Sequence, residues 1–298
     1  MMVCQHYTIA RHQIEVRFAT EGLNAERLLP SFLPFRREGG DDVLLCMTVC
    51  QGEGPDFSAW KEIGQFDCGG ANHGVWRSDS GAYGFEISLP EVSGGWLSCR
   101  MKADEDFTHC EAWLLPVERP GQQQFGLNNA LMMAFAFAAA TQDTLLVHAS
   151  VIRKDGFGYL FTAPSGTGKS THTHLWYKHL GNCDLMNDDN PVIRLVDGQA
   201  LVFGSPWSGK TPCYRNIFAP IGAITQIAQA PVNEVRRLGA VEAFAALLPA
   251  VSSMKWDKRV YSGICQALSH LLNTTPVWHL DCLPDAEAAH VCYEAIHR

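Results

Sequence analysis

The stretch "GYLFTAPSGTGKSTHTHLWYKHLG", residues 158–181, sets an apolar, β-prone run against a glycine-rich turn and then a helical pattern. Backbone N–H groups in such a turn can converge on an anion, and the helix that follows adds the positive end of its dipole. The turn closes on Gly168-Lys169-Ser170, which puts a point charge and a hydroxyl beside it. The spacing G-x-x-x-x-G-K-[ST] is that of a loop shaped around nucleotide phosphates. Here Ala163 stands at the first glycine position, and Gly166 lies within the loop. The predicted nucleotide-binding stretch is thus Ala163, Pro164, Ser165, Gly166, Thr167, Gly168, Lys169, Ser170 and Thr171. Lys169 would face the β and γ phosphates and Ser170 would bind Mg2+, while Thr171 already falls on the helix surface. The ligands this predicts are ATP and Mg2+.

The residues around the loop place it in a particular setting. "TLLVHASVIR" precedes Lys154-Asp155-Gly156 and "FGYLFTA" follows, and an Asp-Gly pair between two apolar runs is a strong hairpin signal. The strand entering the loop is therefore expected to pair antiparallel with the strand before it. A dinucleotide-binding unit would instead arrive by a parallel crossover. After the loop, a helix from Ser170 to about Leu180 can be capped by Gly181. "CDLMND", "PVIRLV" and "ALVFG" read as three strands, the last two joined at Asp197-Gly198, and the remainder reads as more helical.

A phosphate loop needs a group to orient the metal and one to prepare the nucleophile. "NDDNP" supplies Asp188 and Asp189 at the end of an apolar run, about twenty residues past Lys169. Two adjacent carboxylates repel one another unless a cation lies between them. One can then orient Mg2+, and the other can take a proton from an attacking hydroxyl. Asp-Asp-Asn-Pro is also good turn chemistry.

Composition narrows the classes. The chain has 298 residues, 47% hydrophobic and 18% charged, with a net charge of −8 and no basic run, so nucleic acid is not an expected partner. Eleven cysteines scattered along the chain predict reduced thiols and a cytoplasmic setting rather than a disulfide framework. The start, "MMVCQHYTIARHQIEV", lacks the pattern of a signal peptide. The apolar stretch "ALMMAFAFAAA", residues 130–140, is too short to span a membrane and reads as a core helix.

Residues 1–120 predict a β-rich domain, with runs such as "QIEVRF", "VLLCMTVC", "AYGFEISL", "WLSCRM" and "EAWLLPV" separated by turn signals. "ERPGQQQFG", residues 118–126, reads as a linker, and a mixed α/β domain follows over 127–298. Within the first part, Cys46 and Cys50 share a strand face, and with Cys68 and His73 they can be laid out as zinc ligands. A packed core accounts for the pair as well.

"LLVHASVIRKDGFGYLFTAPSGTGKST" followed by "LMNDDNPVIRL" resembles the HPr serine kinase/phosphorylase family. "FGSPWSGK" at 203–210 and the tail "PVWHLDCLPDAEAAHVCYEAI" are similar to HPr-kinase-related proteins of bacteria. The resemblance implies an α+β, mixed α/β fold whose P-loop core is like that of phosphoenolpyruvate carboxykinase. It implies that Lys169 and Ser170 hold triphosphate and Mg2+, that Asp188 and Asp189 divide metal orientation and base work, and that His148 lies near the reacting phosphate. The glycine-rich "RGLGI"-type signature of HPr kinases is absent, and residues 1–120 do not match theirs.

Other cations have weaker claims. Lys210, in Trp207-Ser208-Gly209-Lys210, can reach a phosphate from a turn, and Arg215 is more remote. Lys255, Lys258 and Arg259 form a basic cluster that reads first as a solvated helix face. His172, His174 and His179 read as surface or packing residues of the helix.

The expected activity is transfer of the γ-phosphate of ATP to a hydroxyl, on a serine of a protein or peptide or on a small molecule. The alternative is a nucleotide-binding regulatory module that moves no phosphate. A carboxykinase-like lyase would need an arginine-rich carboxylate site, which the sequence does not assemble. The sequence leaves the acceptor open and allows a homo-oligomer.

Overall fold

The computed structural model describes residues 3–67, 71–90, 95–116, 120–209 and 211–297. The chain divides into two compact units, Met1–Ala138 with Lys255–Asp257, and Ala139–Met254 with Lys258–Arg298. Both are built around large sheets, giving a mixed α/β architecture. Among the described residues no helix is long and apolar enough to cross a membrane, and no cysteine is disulfide-bonded.

In the first unit, strands β1 (Val3–Ile9), β2 (His12–Phe18), β3 (Arg36–Arg37), β4 (Val43–Gln51), β5 (Lys61–Asp67), β6 (Asn72–Arg77), β7 (Tyr83–Ser88), β8 (Leu97–Ala103) and β9 (His109–Leu114) make one sheet. Their order is β3-β1-β2-β4-β9-β8-β7-β6-β5. Period-2 alternation decides the faces. Ile14, Val16, Phe18, Met47, Val49, Ala112 and Leu114 are buried, while Glu15, Arg17 and Cys46 point the other way and stay partly exposed. The apolar face is covered by helix α2 (Pro120–Ala139), whose Phe137 ring packs on Phe66, Phe85 and Phe107. A short helix α1 (Ala25–Leu28) precedes β3.

One expectation fails here. The stretch 118–126 is not a linker from Pro120 onward, because Pro120 opens α2. Proline has no N–H to lose in the first turn of a helix, so its ring favours a helix start as readily as a chain break. Gly126 is also a packing residue, since a Cβ there would meet Cys99 Cβ at 2.7 Å.

In the second unit, β10 (Thr144–Leu146), β11 (Ala149–Lys154), β12 (Phe157–Thr162), β13 (Cys183–Asp189), β14 (Val192–Val196), β15 (Gln199–Phe203) and β16 (Phe218–Gln229) run in the order β10-β14-β15-β16-β12-β11-β13. β18 (Val277–Cys282) pairs with β16 and with β17 (Glu234–Arg237). The helices are α3 (Lys169–His179), α4 (Ala240–Leu247), α5 (Lys258–Thr274) and α6 (Ala286–Ile296). The Asp155-Gly156 hairpin forms as expected, with positive φ at both residues (51° and 86°) and Lys154 opposite Phe157. Asp197-Gly198 repeats the device. Gly181 takes φ 61° just past the end of α3.

The region after Phe203 is less helical than its composition suggests. β16 and β18 run parallel through its middle, with Ile224 opposite Val277. Pro220 and Gly222 look like breakers in "FAPIGAITQIAQ", but the strand is apolar on both faces and buried, so side-chain burial outweighs their local preference. Trp176 of α3 and Ala288, Ala289 and Cys292 of α6 close one face of the sheet over Tyr159, Phe161, Ile227 and Leu280.

Gly204 of "FGSPWSGK" has a structural explanation. A Cβ there would run into the carbonyl of Arg215 and lie 3.1 Å from Met186 O, both backbone atoms that cannot swing away. We expect Gly204→Ala to destabilise the protein by about 1–3 kcal/mol, read as a lower urea midpoint at unchanged slope. A midpoint within error of the parent would show that the 186–215 backbone is not fixed.

Candidate active site

The register of three strands assembles the site. β11 runs antiparallel to both β12 and β13, with Ala149 opposite Thr162 on one side and Asp189 on the other. The start of β11 therefore lies beside the ends of its two neighbours. His148 precedes β11, the glycine-rich loop follows β12, and Asp188-Asp189 ends β13. The run "TLLVHASVIR" is split at this point: β10 pairs with β14, and the His148 N–H donates to Ala250 O at 2.7 Å.

The side chains meet across that edge. Lys169 is buried, and its Nζ donates to Ala163 O at 3.0 Å and lies 2.8 Å from His148 Nε2. An ammonium can only donate, so Nε2 accepts and the imidazole proton resides on Nδ1. Nδ1 is 3.1 Å from Asp189 Oδ1, which completes a Lys169–His148–Asp189 chain. Burial lowers the Lys169 pKa, and the carboxylates of Asp189 and Asp188 oppose that shift. Ser170 Oγ donates to Asp188 Oδ1 at 2.9 Å, and Asp188 is itself buried.

The two aspartates, adjacent in sequence, face different surroundings. Asp188 meets the Ser170 hydroxyl, whereas Asp189 is more open, touches His148 and accepts from Asn190 Nδ2 at 2.8 Å. Asp189 has φ 127°, a costly backbone for a residue with a Cβ. Hydrogen bonds to Asp188 O from Gly209 N (2.6 Å) and Ser208 Oγ (2.9 Å) hold it there. A Cβ at Gly209 would lie 3.0 Å from Asp189 Cβ, so glycine lets the two backbones approach.

The loop conformation rests on its glycines. Gly166 and Gly168 take φ 81° and 121°, and the start of α3 has no side-chain cap at Gly168. Its first-turn N–H groups have no intrahelical partner and point towards the loop. Ser170 Oγ and the Asp188 carboxylate, in contact, offer only oxygen donors, which suits a hard cation such as Mg2+, and Asp189 is the next carboxylate along the strand. Gln229 Nε2 of β16 donates to Thr167 O at 2.9 Å and steadies the loop. Beside it lies a cavity of about 530 Å3, lined by Thr167, His172, Leu175, Ile227, Gln229 and Leu283 among others.

Among the predicted residues, Ala163, Lys169, Ser170, Asp188, Asp189 and His148 are brought together. Thr171 is exposed on α3. Lys210 lies outside the described residues. Arg215 serves another purpose, since its Nη1 is 2.6 Å from Asp184 Oδ2, which Arg153 also binds. Lys255 belongs to the first unit, while Lys258 and Arg259 open α5 of the second. Cys46 and Cys50 lie on the outer sheet face rather than in a core, His73 is fully buried, and Cys68 is outside the described residues. The sequence reading missed Asn187, although it sits within "NDDN". This fully buried residue donates through Nδ2 to Trp207 O at 3.0 Å and ties β13 to the "FGSPWSGK" turn.

His172 is buried on the inner face of α3 and accepts from Trp176 Nε1 at 3.0 Å. Burial lowers its pKa from 6.5 to about 4. Between these values the unfolded chain takes up a proton and the folded chain does not. The stability is fully present above pH 6.5 and is lost as pH falls towards 4, by up to about 3 kcal/mol. Burial shifts His73 of the first unit the same way. We expect the fall in urea stability between pH 7 and 4.5 to be smaller in His172→Gln than in the parent. An identical fall would contradict a neutral buried imidazole.

No family model matches the sequence, and no curated protein matches it. Among solved structures, the HPr(Ser) kinase/phosphatase from Coxiella burnetii aligns with 50% of this chain and 91% of its own, at 10% identity and a TM-score of 0.30. A likeness that slight says nothing about the chemistry of this chain.

Proposed function

We propose that the second unit binds ATP with Mg2+ and transfers the γ-phosphate to a hydroxyl, as an HPr-kinase-related phosphotransferase with a carboxykinase-like P-loop core working in the cytoplasm. The observation that carries this is the meeting of Lys169, His148, Ser170, Asp188 and Asp189 at one strand edge beside an uncapped helix start. Residues from three segments of the chain converge there, and a glycine-rich turn of purely structural use would not need them.

Each group has a task its surroundings suit. The loop N–H groups receive the phosphates, and Lys169 exchanges His148 and Ala163 O for phosphate oxygens. Mg2+, held by Ser170 and Asp188 with Asp189 nearby, supplies charge neutralisation on the phosphates. Asp189, the more open carboxylate, takes the proton from the acceptor hydroxyl as the new O–P bond forms and the bond to the β-phosphate oxygen breaks. His148 holds Asp189 in place through Nδ1. The nucleoside occupies the cavity beside Thr167, where Leu175, Ile227 and Leu283 offer apolar contact and the buried His172 Nδ1, without a partner among the described residues, offers a donor.

The test is incubation with γ-labelled ATP, Mg2+ and an extract of the cell that makes the protein, with nucleotide affinity measured alongside. We expect Asp189→Asn to lower label transfer by at least about 100-fold while nucleotide still binds, and Lys169→Met to weaken binding itself. Nucleotide binding with no transfer to any acceptor would support the regulatory module instead.

A further inference from the structure

The outer face of the first sheet carries a row of side chains that the phosphate site does not use. Strand register places His6 of β1 opposite Glu15 of β2, and Glu15 opposite Cys46 of β4. Cys4, two residues before His6, emerges on the same face. Cys4 Sγ lies 3.5 Å from His6 Nε2, and His6 Nδ1 lies 3.7 Å from Glu15 Oε2. One ligand atom from each of Cys4, His6 and Glu15 falls within 4.8 Å of the other two.

We propose that Cys4, His6 and Glu15 form a binding site for a divalent transition-metal cation of the Zn2+ class. Three observations support it. One thiol sulfur, one imidazole nitrogen and one carboxylate oxygen lie within 4.8 Å of one another, near enough to converge on a single ion after small side-chain rotations. Thiolate, imidazole and carboxylate are the donor types Zn2+ takes together, and one thiolate with one carboxylate balances its charge. Arg17, bonded through Nε to Glu15 Oε1, holds the carboxylate from outside the cluster, as second-shell groups do at metal sites. Cys46 is the next thiol in the row, with Sγ 3.7 Å from Glu15 Oε1, the oxygen that Arg17 also holds, and it lies outside the three-residue cluster.

Such a site would clamp β1 to β2. Beyond β1 lies only the two-residue β3 among the described strands. The site belongs to the first unit and does not depend on the function of the second. It also differs from the zinc arrangement suggested by sequence spacing alone, sharing no residue with it.

The experiment uses the full chain, stripped with a chelator and titrated with Zn2+ against a competing metal indicator. Co2+ serves as a spectroscopic substitute. We expect one Zn2+ per chain, and a thiolate-to-Co2+ charge-transfer band that disappears in Cys4→Ser. Losing a second-shell partner already costs 10–100-fold in metal affinity, so Cys4→Ser, His6→Ala and Glu15→Gln should each weaken Zn2+ by at least about tenfold. Cys183→Ser, in the other unit, should leave the affinity unchanged. All three ligand positions lie outside the core, and far-ultraviolet circular dichroism of each variant checks that it folds. The proposal is overturned if stripped parent protein takes up no Zn2+ at micromolar free metal. It is equally overturned if uptake survives in all three variants.

Discussion

The antiparallel register of β11 between β12 and β13 is the constraint on which the candidate active site depends. An antiparallel neighbour begins where its partners end, so the residue before β11 meets the loop after β12 and the acidic pair closing β13. A one-residue slip of β13 would exchange the faces to which Asp188 and Asp189 point and take Asp189 away from His148. The Asp155-Gly156 turn sets the first pairing, because its positive φ angles suit a two-residue hairpin. α3 secures the second side, where Thr173 Oγ1 lies 2.8 Å from Ser150 Oγ and Trp176 is fully buried over Tyr159 and Phe161.

The site holds charge at the expense of stability. Lys169 is buried at the cost of solvation, and the two aspartates compensate only in part, since its pKa still falls. Asp189 occupies a backbone conformation that a residue with a side chain rarely adopts, and it is held by the 208–209 turn. Neither feature is expected of a sheet selected for stability alone. Both are common where a group must be held ready for a ligand or a proton. The Lys169–His148–Asp189 chain gives these charges partners within the protein, and a phosphate could displace them without leaving a buried cation unpaired.

Much of the second unit can be read from residues that act locally. Two Asp-Gly turns, the loop glycines and Gly181 fix backbone conformations that few residues adopt, so their positions carry information by themselves. β16 escaped because a central strand that is apolar on both faces has no period, and β18 because Trp278, His279 and Asp281 interrupt its short apolar pattern. α2 began early because proline suits the first turn of a helix as well as a loop. The separate surroundings of Asp188 and Asp189, and the place of His148 between Lys169 and Asp189, depend on contacts across strands that no local pattern encodes. The same holds for Cys4, His6 and Glu15, which meet only through the pairing of β1 with β2.

The most direct test of the account is a crystal structure with a non-hydrolysable ATP analogue and Mg2+. The triphosphate is expected on the N–H groups of residues 165–171, with Lys169 Nζ transferred from His148 to a phosphate oxygen and the metal bound by Ser170 and Asp188. A nucleotide bound elsewhere, or one bound at the loop with Lys169 still on His148 and no metal at Asp188, would contradict it.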